Sequence, residues 1–169
     1  MGTRHNVIFN GADEIKFNKD GKLNMKCIKY SPKVYVHWDG YPLGGFDKET
    51  GTVFGGALPI LKEFLNTDGA KARSHDREYL SAYYIGWKII HDFGFTNLKN
   101  LDDFRSIGIE TQLNDWADYS YVIIQESTSH DTWKFVIYVL DYNLKLIKKV
   151  ENINDLESYT KDFLGDEYE

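Results

Sequence analysis

The sequence predicts one α+β domain over residues 1–169, with a mostly antiparallel sheet of about six to seven strands and about three helices. The length of 169 residues fits a single domain. Short segments of alternating apolar and polar residues, separated by turn signals, occur near both ends of the chain and are typical of antiparallel strands. Between them lie two segments with apolar residues at helical spacing. Runs of strands separated from helices favour the α+β class.

The first part of the chain is predicted to form short strands. The tripeptide Lys19-Asp20-Gly21 lies between two alternating segments and favours a hairpin turn. Further along, the apolar residues change face near Cys27, which predicts a β-bulge there. The predicted strands are residues 5–10, 14–18, 23–30 and 33–39, and a glycine-rich loop follows at 39–56.

Helical spacing predicts three helices. Residues 57–65 carry a buried stripe of apolar residues. Residues 75–93 form the longest helix, with Ser74 as its N-cap and Gly94 just beyond its end. A third helix closes the chain at 154–165.

The remaining strands are predicted in the second half of the chain. Residues 119–126 and 133–140 are apolar on both faces, which is typical of central strands. Residues 143–150 alternate, as expected for an outer strand. A short helix is predicted around 113–117.

Composition excludes several classes of protein. Hydrophobic residues make up 42% and charged residues 27%, which argues against an intrinsically disordered chain. No apolar run is long enough to span a membrane, and no secretion signal precedes the first strand, so we expect a cytoplasmic protein. The one cysteine, Cys27, excludes an internal disulfide framework.

Aromatic content and charge distribution each allow two interpretations. The 12 Tyr, 10 Phe and 4 Trp can form a ring-rich core or an aromatic binding surface. A basic stretch at 16–33 and an acidic C-terminal part can steer a charged partner or simply keep the surface solvated. The net charge of −6 makes direct nucleic-acid binding an unfavoured prediction.

Three His-Asp dipeptides are the residues most suggestive of a metal. They are His75-Asp76, His91-Asp92 and His130-Asp131. The first two begin and end one predicted helix, about 24 Å apart, so they cannot share an ion. The third lies in a predicted hairpin turn. The sequence therefore predicts no metal site and no cofactor.

A second constellation lies on the strand at 33–39. Alternation places Tyr35, His37 and Asp39 on one face, where neighbouring side chains are about 6.5–7 Å apart and can converge on a ligand. Histidine titrates near neutrality, and His37 and Asp39 are the candidate catalytic pair. The same residues also fit an ordinary turn at the end of a strand. Both interpretations remain open.

Two sequence blocks resemble a family of small phage and microbial proteins. The blocks are Met1-Gly2-Thr3-Arg4-His5 and His37-Trp38-Asp39-Gly40-Tyr41-Pro42 with Gly44-Gly45, the second matching an aromatic-Asp-x-Tyr-Pro-x-Gly motif. That family has no assigned activity, so the resemblance supplies no catalytic residues. It implies that the start of the chain and this loop belong to one site. Candidate ligand- or partner-binding residues are Arg4, His5, Tyr35, Trp38 and Tyr41.

Two functional hypotheses follow. The first is a phage-type accessory protein that binds a host protein, such as an antiviral defence enzyme, and inhibits or modulates it through aromatic anchors and charge steering. The second is a protein that binds or hydrolyses a small polar ligand such as a nucleotide. In the second hypothesis His37 is the acid–base group, Asp39 orients it, and Arg4 holds an anion.

Overall fold

A six-stranded sheet forms the centre of the molecule. The structure is a computed structural model and describes residues 3–10, 15–94, 107–110, 113, 117–129 and 132–166. The strands of this sheet are β1 (His5–Phe9), β2 (Lys33–Val36), β5 (Ile107–Glu110), β6 (Tyr119–Ser129), β7 (Thr132–Asp141) and β8 (Leu146–Val150). A separate two-stranded sheet contains β3 (Gly45–Asp47) and β4 (Thr52–Phe54). The predicted helix around 113–117 falls mostly outside the described residues.

The order of strands in the large sheet is β5-β2-β1-β6-β7-β8. The pair β1–β6 is parallel, and the other neighbouring pairs are antiparallel. Strands β6 and β7 form a long hairpin, with Tyr119 opposite Asp141 at its open end. The predicted α+β class and mostly antiparallel sheet are confirmed.

The described residues contain four α-helices. They are α1 (Ala57–Leu65), α2 (Asp68–Ala72), α3 (Arg77–Phe93) and α4 (Thr160–Leu164). The cap of α3 differs from the prediction: the Asp76 carboxylate, not the buried Ser74, accepts the hydrogen bond from the Tyr79 backbone N–H at 3.1 Å. The C-terminal helix is split, because residues Leu156–Tyr159 form a 3₁₀ turn before α4.

The sheet has a hydrophobic core on each face. One core joins the sheet to α1 and α3, and the other joins it to the segment 15–30. The first contains Val7, Phe9, Tyr121, Ile123 and Ile137 from strands with Leu58, Leu61, Phe64 and Tyr84 from helices. The second contains Ile8, Val122, Ile124 and Val136 from strands with Ile15, Leu23 and Ile28.

The segment 15–30 differs from the predicted pair of strands. Two isolated bridges form, between Phe17 and Leu23 and between Lys22 and Lys145, and residues Met25–Ile28 make a 3₁₀ helix instead of a bulged strand. The Asn24 side chain accepts a hydrogen bond from the Lys26 backbone N–H at 3.1 Å. This local bond begins the 3₁₀ helix and ends the extended backbone.

The described helices do not include one long and apolar enough to cross a membrane.

Candidate functional site

The glycine-rich loop is packed against the start of the chain. The Gly40 backbone N–H donates to the Thr3 carbonyl at 3.0 Å, and the Tyr121 hydroxyl donates to the Gly40 carbonyl at 2.7 Å. A Cβ atom on Gly40 would lie 2.8 Å from the Thr3 carbonyl oxygen, so only glycine fits without a shift. The two sequence blocks of the predicted site are therefore in direct contact.

The same loop fixes the backbone of Tyr41. The carbonyl of Tyr41 accepts a hydrogen bond from the Ala57 N–H at 2.7 Å, and the Pro42 carbonyl accepts one from Leu58 at 3.1 Å. These N–H groups belong to the first turn of α1, which would otherwise lack partners. Gly56, just before the helix, has a φ of 83°, which favours glycine. Tyr41 thus has a fixed backbone and a ring that is 57% exposed.

Tyr41 lines a surface groove at the open end of the β6–β7 hairpin. Two clefts of about 410 and 340 Å³ adjoin there and share Tyr41, Tyr119 and Ile147. Further lining comes from the β7–β8 turn and from α4. We call this surface the tyrosine groove and define it by Tyr41, Asp118, Tyr119, Asp141, Tyr142, Ile147, Asp162 and Phe163.

The rings of the groove are displayed by rigid supports. The Tyr41 and Tyr119 ring centroids are 6.0 Å apart, with planes inclined by 56°. Tyr142 lies in the β7–β8 turn and is 73% exposed. The Asp141 carboxylate accepts hydrogen bonds from the backbone N–H groups of Asn143 at 2.8 Å and Lys145 at 2.9 Å, which holds this turn. Exposed rings on a preformed surface lose little entropy when a partner binds.

The groove has negative electrostatic character. Burial raises the pKa of the Tyr119 hydroxyl, and Tyr41, Asp118 and Asp141 raise it further. Asp162 also lines the groove, but its carboxylate is 2.9 Å from the Lys148 ammonium. No lysine or arginine is among the described residues that line the two clefts.

The predicted catalytic strand face is only partly assembled. The Tyr35 hydroxyl lies 3.2 Å from His37 Nδ1. Burial raises the pKa of Tyr35, whereas the Arg4 charge opposes this. The strand ends at Val36, however, and Asp39 lies in the loop with a φ of 58° and an exposed side chain. Alternation on β2 therefore does not extend to Asp39, and none of the clefts described here is lined by Tyr35, His37 or Asp39.

The other predicted site residues lie in three different environments. Trp38 is exposed and packs edge-on against His37 with ring centroids 4.6 Å apart. The Arg4 backbone N–H donates to the Asp118 carboxylate at 2.9 Å, so Arg4 borders the groove through its main chain. His5 is 1% exposed and lies in the core against Tyr121, with ring centroids 5.5 Å apart. His5 therefore presents no surface to a partner.

Alternation along the strands separates these residues further. Val34 and Val36 belong to the core on the helix side, so Tyr35 between them points to the opposite face of the sheet. Tyr119 packs against the helix-side core. The Tyr35–His37 pair and the tyrosine groove are consequently on different faces.

Of the three groove tyrosines, Tyr119 and Tyr142 are absent from the predicted site. The sequence pattern predicts Tyr119 only as the first residue of a strand. Tyr142 stands in the sequence Asp141-Tyr142-Asn143, where polar residues typical of turns flank a large ring. An aromatic residue within a turn is the sequence signal that could have identified it, because a turn leaves little opportunity to bury the ring.

Two other clefts of about 490 Å³ each have polar groups that are paired with one another. In the cleft beside Trp133, Asn66 Nδ2 donates to Asn154 Oδ1 at 2.7 Å. In the cleft along α3, His91 lies 3.2 Å from Glu63 and stacks on Trp87 with centroids 4.8 Å apart. Neither includes a residue of the predicted site.

Comparison of this chain with protein-family models, curated proteins and solved structures finds no match in any of the three.

Proposed function

We propose that this chain is a binding protein whose tyrosine groove docks onto a partner protein. In this proposal it is a cytoplasmic, phage-type accessory factor that inhibits or modulates a host component. The observation that carries the proposal is the exposure of Tyr41 and Tyr142 on fixed supports, beside the half-buried Tyr119. Tyrosine is enriched among the residues that dominate binding energy at protein interfaces.

The shape of the groove favours a protein over a small molecule. It consists of two adjoining clefts that are open to solvent, whereas small-ligand sites enclose most of the ligand surface. Its lining comes from the loop at 39–56, the β6–β7 hairpin end, the β7–β8 turn and α4, so it extends over several elements. Protein interfaces commonly place aromatic anchors at the centre and polar residues around them.

The test is an affinity capture from bacterial lysate, followed by reconstitution with the purified partner. The variant is Tyr41→Ala with Tyr142→Ala. The control is Tyr30→Ala, which removes a tyrosine outside the groove that is as exposed as Tyr142, at 73%. We expect the double variant to weaken binding by about 30-fold or more, as loss of an interface hot spot does, and the control to bind normally.

Folding of the double variant is checked by its melting temperature. Tyr41 supports α1 through its backbone carbonyl, which alanine retains, and Tyr142 is mostly exposed, so we expect little change. Normal binding by a folded double variant would contradict the proposal. Equal losses in the double variant and in the Tyr30→Ala control would do so as well.

A small polar ligand is the second candidate function, favoured by the contact between Tyr35 and His37. In that case His37 exchanges a proton with the ligand and Arg4 attracts an anionic group. Titration of the protein with nucleotides, followed by amide shifts of Tyr35 and His37, tests it. Shifts that disappear in His37→Ala at unchanged melting temperature would support this function, and no shift at millimolar ligand would exclude it.

A further inference from the structure

We propose that the tyrosine groove accepts an arginine side chain from an extended basic segment of the partner. This assignment rests on the proposed function and adds the chemistry of the partner. Three observations carry it. Tyrosine rings line the groove, carboxylates lie beside these rings, and no lysine or arginine is among the described lining residues.

Aromatic faces provide the first contribution. A guanidinium group is planar and weakly hydrated, and it is attracted to the negative face of an aromatic ring. The Tyr41 and Tyr119 rings are 6.0 Å apart and inclined by 56°, so they form an open angle instead of a closed stack. Tyr142, in the adjoining cleft, supplies a third ring that is mostly exposed.

Carboxylates provide the second contribution. Tyr119 begins β6, Asp118 precedes it, and Asp141 is its opposite residue on β7. Asp118, Tyr119 and Asp141 line the same cleft, and after burial and Tyr41 the two carboxylates contribute to the raised pKa of the Tyr119 hydroxyl. A cation at this point gains from both fields.

The lining also selects against other occupants. Nucleic acid and other phosphate ligands would meet the carboxylates of Asp118 and Asp141, with no lysine or arginine among the described lining residues. A second copy of this chain is the main competing occupant, because Lys19, Lys22, Lys26 and Lys29 are exposed. These lysines carry compact ammonium groups, which match flat rings less well than guanidinium does.

The first experiment uses the full chain and two blocked hexapeptides. One alternates glycine with arginine, and the other has citrulline, the neutral isostere of arginine, at the same positions. We expect the arginine peptide, at up to about 1 mM, to shift amide resonances of Tyr41, Tyr119 and Tyr142. We expect the citrulline peptide to bind at least about tenfold more weakly, because it keeps the shape but loses the charge. Equal binding of both peptides, or shifts outside the groove, would overturn the assignment.

A matched pair of carboxylate variants tests the same point. Asp118→Asn removes a groove charge but keeps an oxygen that can accept from the Arg4 N–H. Asp20→Asn removes an exposed charge outside the groove. We expect Asp118→Asn to weaken binding of the arginine peptide about three- to fivefold, and to do so more strongly at low salt. We expect Asp20→Asn to leave this binding unchanged. Equal behaviour of the two variants would contradict the assignment.

Competition with the purified partner separates this assignment from the proposed function. If Tyr41→Ala with Tyr142→Ala abolishes partner binding, but Asp118→Asn and the arginine peptide do not affect it, the arginine assignment fails and the proposed function stands. If the double tyrosine variant binds the partner normally, the proposed function fails, and this assignment fails with it. Sedimentation of the chain alone must show a monomer; a dimer that dissociates in Tyr41→Ala would assign the groove to a second copy.

Discussion

The buried imidazole of His5 should make the stability of this protein depend on pH. Burial, with the Lys88 charge, lowers the pKa of His5 from 6.5 to about 3, although a hydrogen bond with the Trp38 backbone opposes this. In the unfolded chain the ring titrates at about 6.5. Between these two values the unfolded chain binds a proton that the folded chain does not. The free energy of unfolding therefore falls as the pH is lowered through this window.

The size of the effect follows from the difference in bound protons. One proton contributes about 1.4 kcal/mol for each pH unit below 6.5. Lowering the pH from about 7 to about 5 should therefore cost about 2 kcal/mol through His5 alone. Most carboxylates titrate at lower pH, so this window separates histidines from carboxylates, and comparison with a His5 variant isolates His5.

The assay is urea unfolding of the native chain and His5→Gln between about pH 5 and about pH 7. Glutamine keeps a polar group but does not titrate, and the remaining histidines are common to both proteins. Between about pH 7 and about pH 5, the free energy of unfolding of His5→Gln should fall by about 2 kcal/mol less than that of the native chain. The variant His75→Gln, at an exposed site, should keep the native pH dependence. Equal pH dependence in the native chain and His5→Gln would refute this reasoning.

Two further predictions compare matched substitutions by urea unfolding. Gly40→Ala should lower the free energy of unfolding by about 1–3 kcal/mol, because its Cβ would lie 2.8 Å from the Thr3 carbonyl oxygen. Gly86→Ala, in α3, places its Cβ in open space and should raise the free energy of unfolding by about 1 kcal/mol. A stable Gly40→Ala would show that the loop can move away from the start of the chain. Tyr121→Phe should cost about 1–2 kcal/mol, because it removes the buried hydrogen bond to the Gly40 carbonyl. Tyr84→Phe should be neutral or stabilising, because the buried Tyr84 hydroxyl has no hydrogen-bond partner among the described residues. Equal losses of stability in Tyr121→Phe and Tyr84→Phe would contradict this prediction.

The helices and the long strands were predictable because their signals are local. The apolar stripe at 57–65 gave the bounds of α1, and the apolar runs at 119–126 and 133–140 identified β6 and β7. Each of these patterns indicates whether one face or both faces of a continuous helix or strand are buried. The segment 23–30 was predicted wrongly, because the Asn24 side chain bonds to the local backbone and competes with strand pairing.

The candidate site shows the opposite situation. The family resemblance implies that Tyr41 and the start of the chain belong to one site, and in the structure the Gly40 N–H donates to the Thr3 carbonyl. The proximity of Tyr41 to Tyr119 depends on sheet order and on the bonds that fix the loop to α1, which no local pattern contains. Alternation predicted that Tyr35 and His37 share a face, but it could not show that β2 ends before Asp39.

The amino-acid sequence by itself therefore determined the α+β class and most of the elements, because these follow from hydrophobic periodicity and turn residues. Only the tertiary structure decided that His5 is buried and that Tyr41, Tyr119 and Tyr142 line one groove. Strand order and burial arise from packing between distant segments. A histidine or tyrosine has the same local pattern in a core as on a surface, and its neighbours in space decide its role.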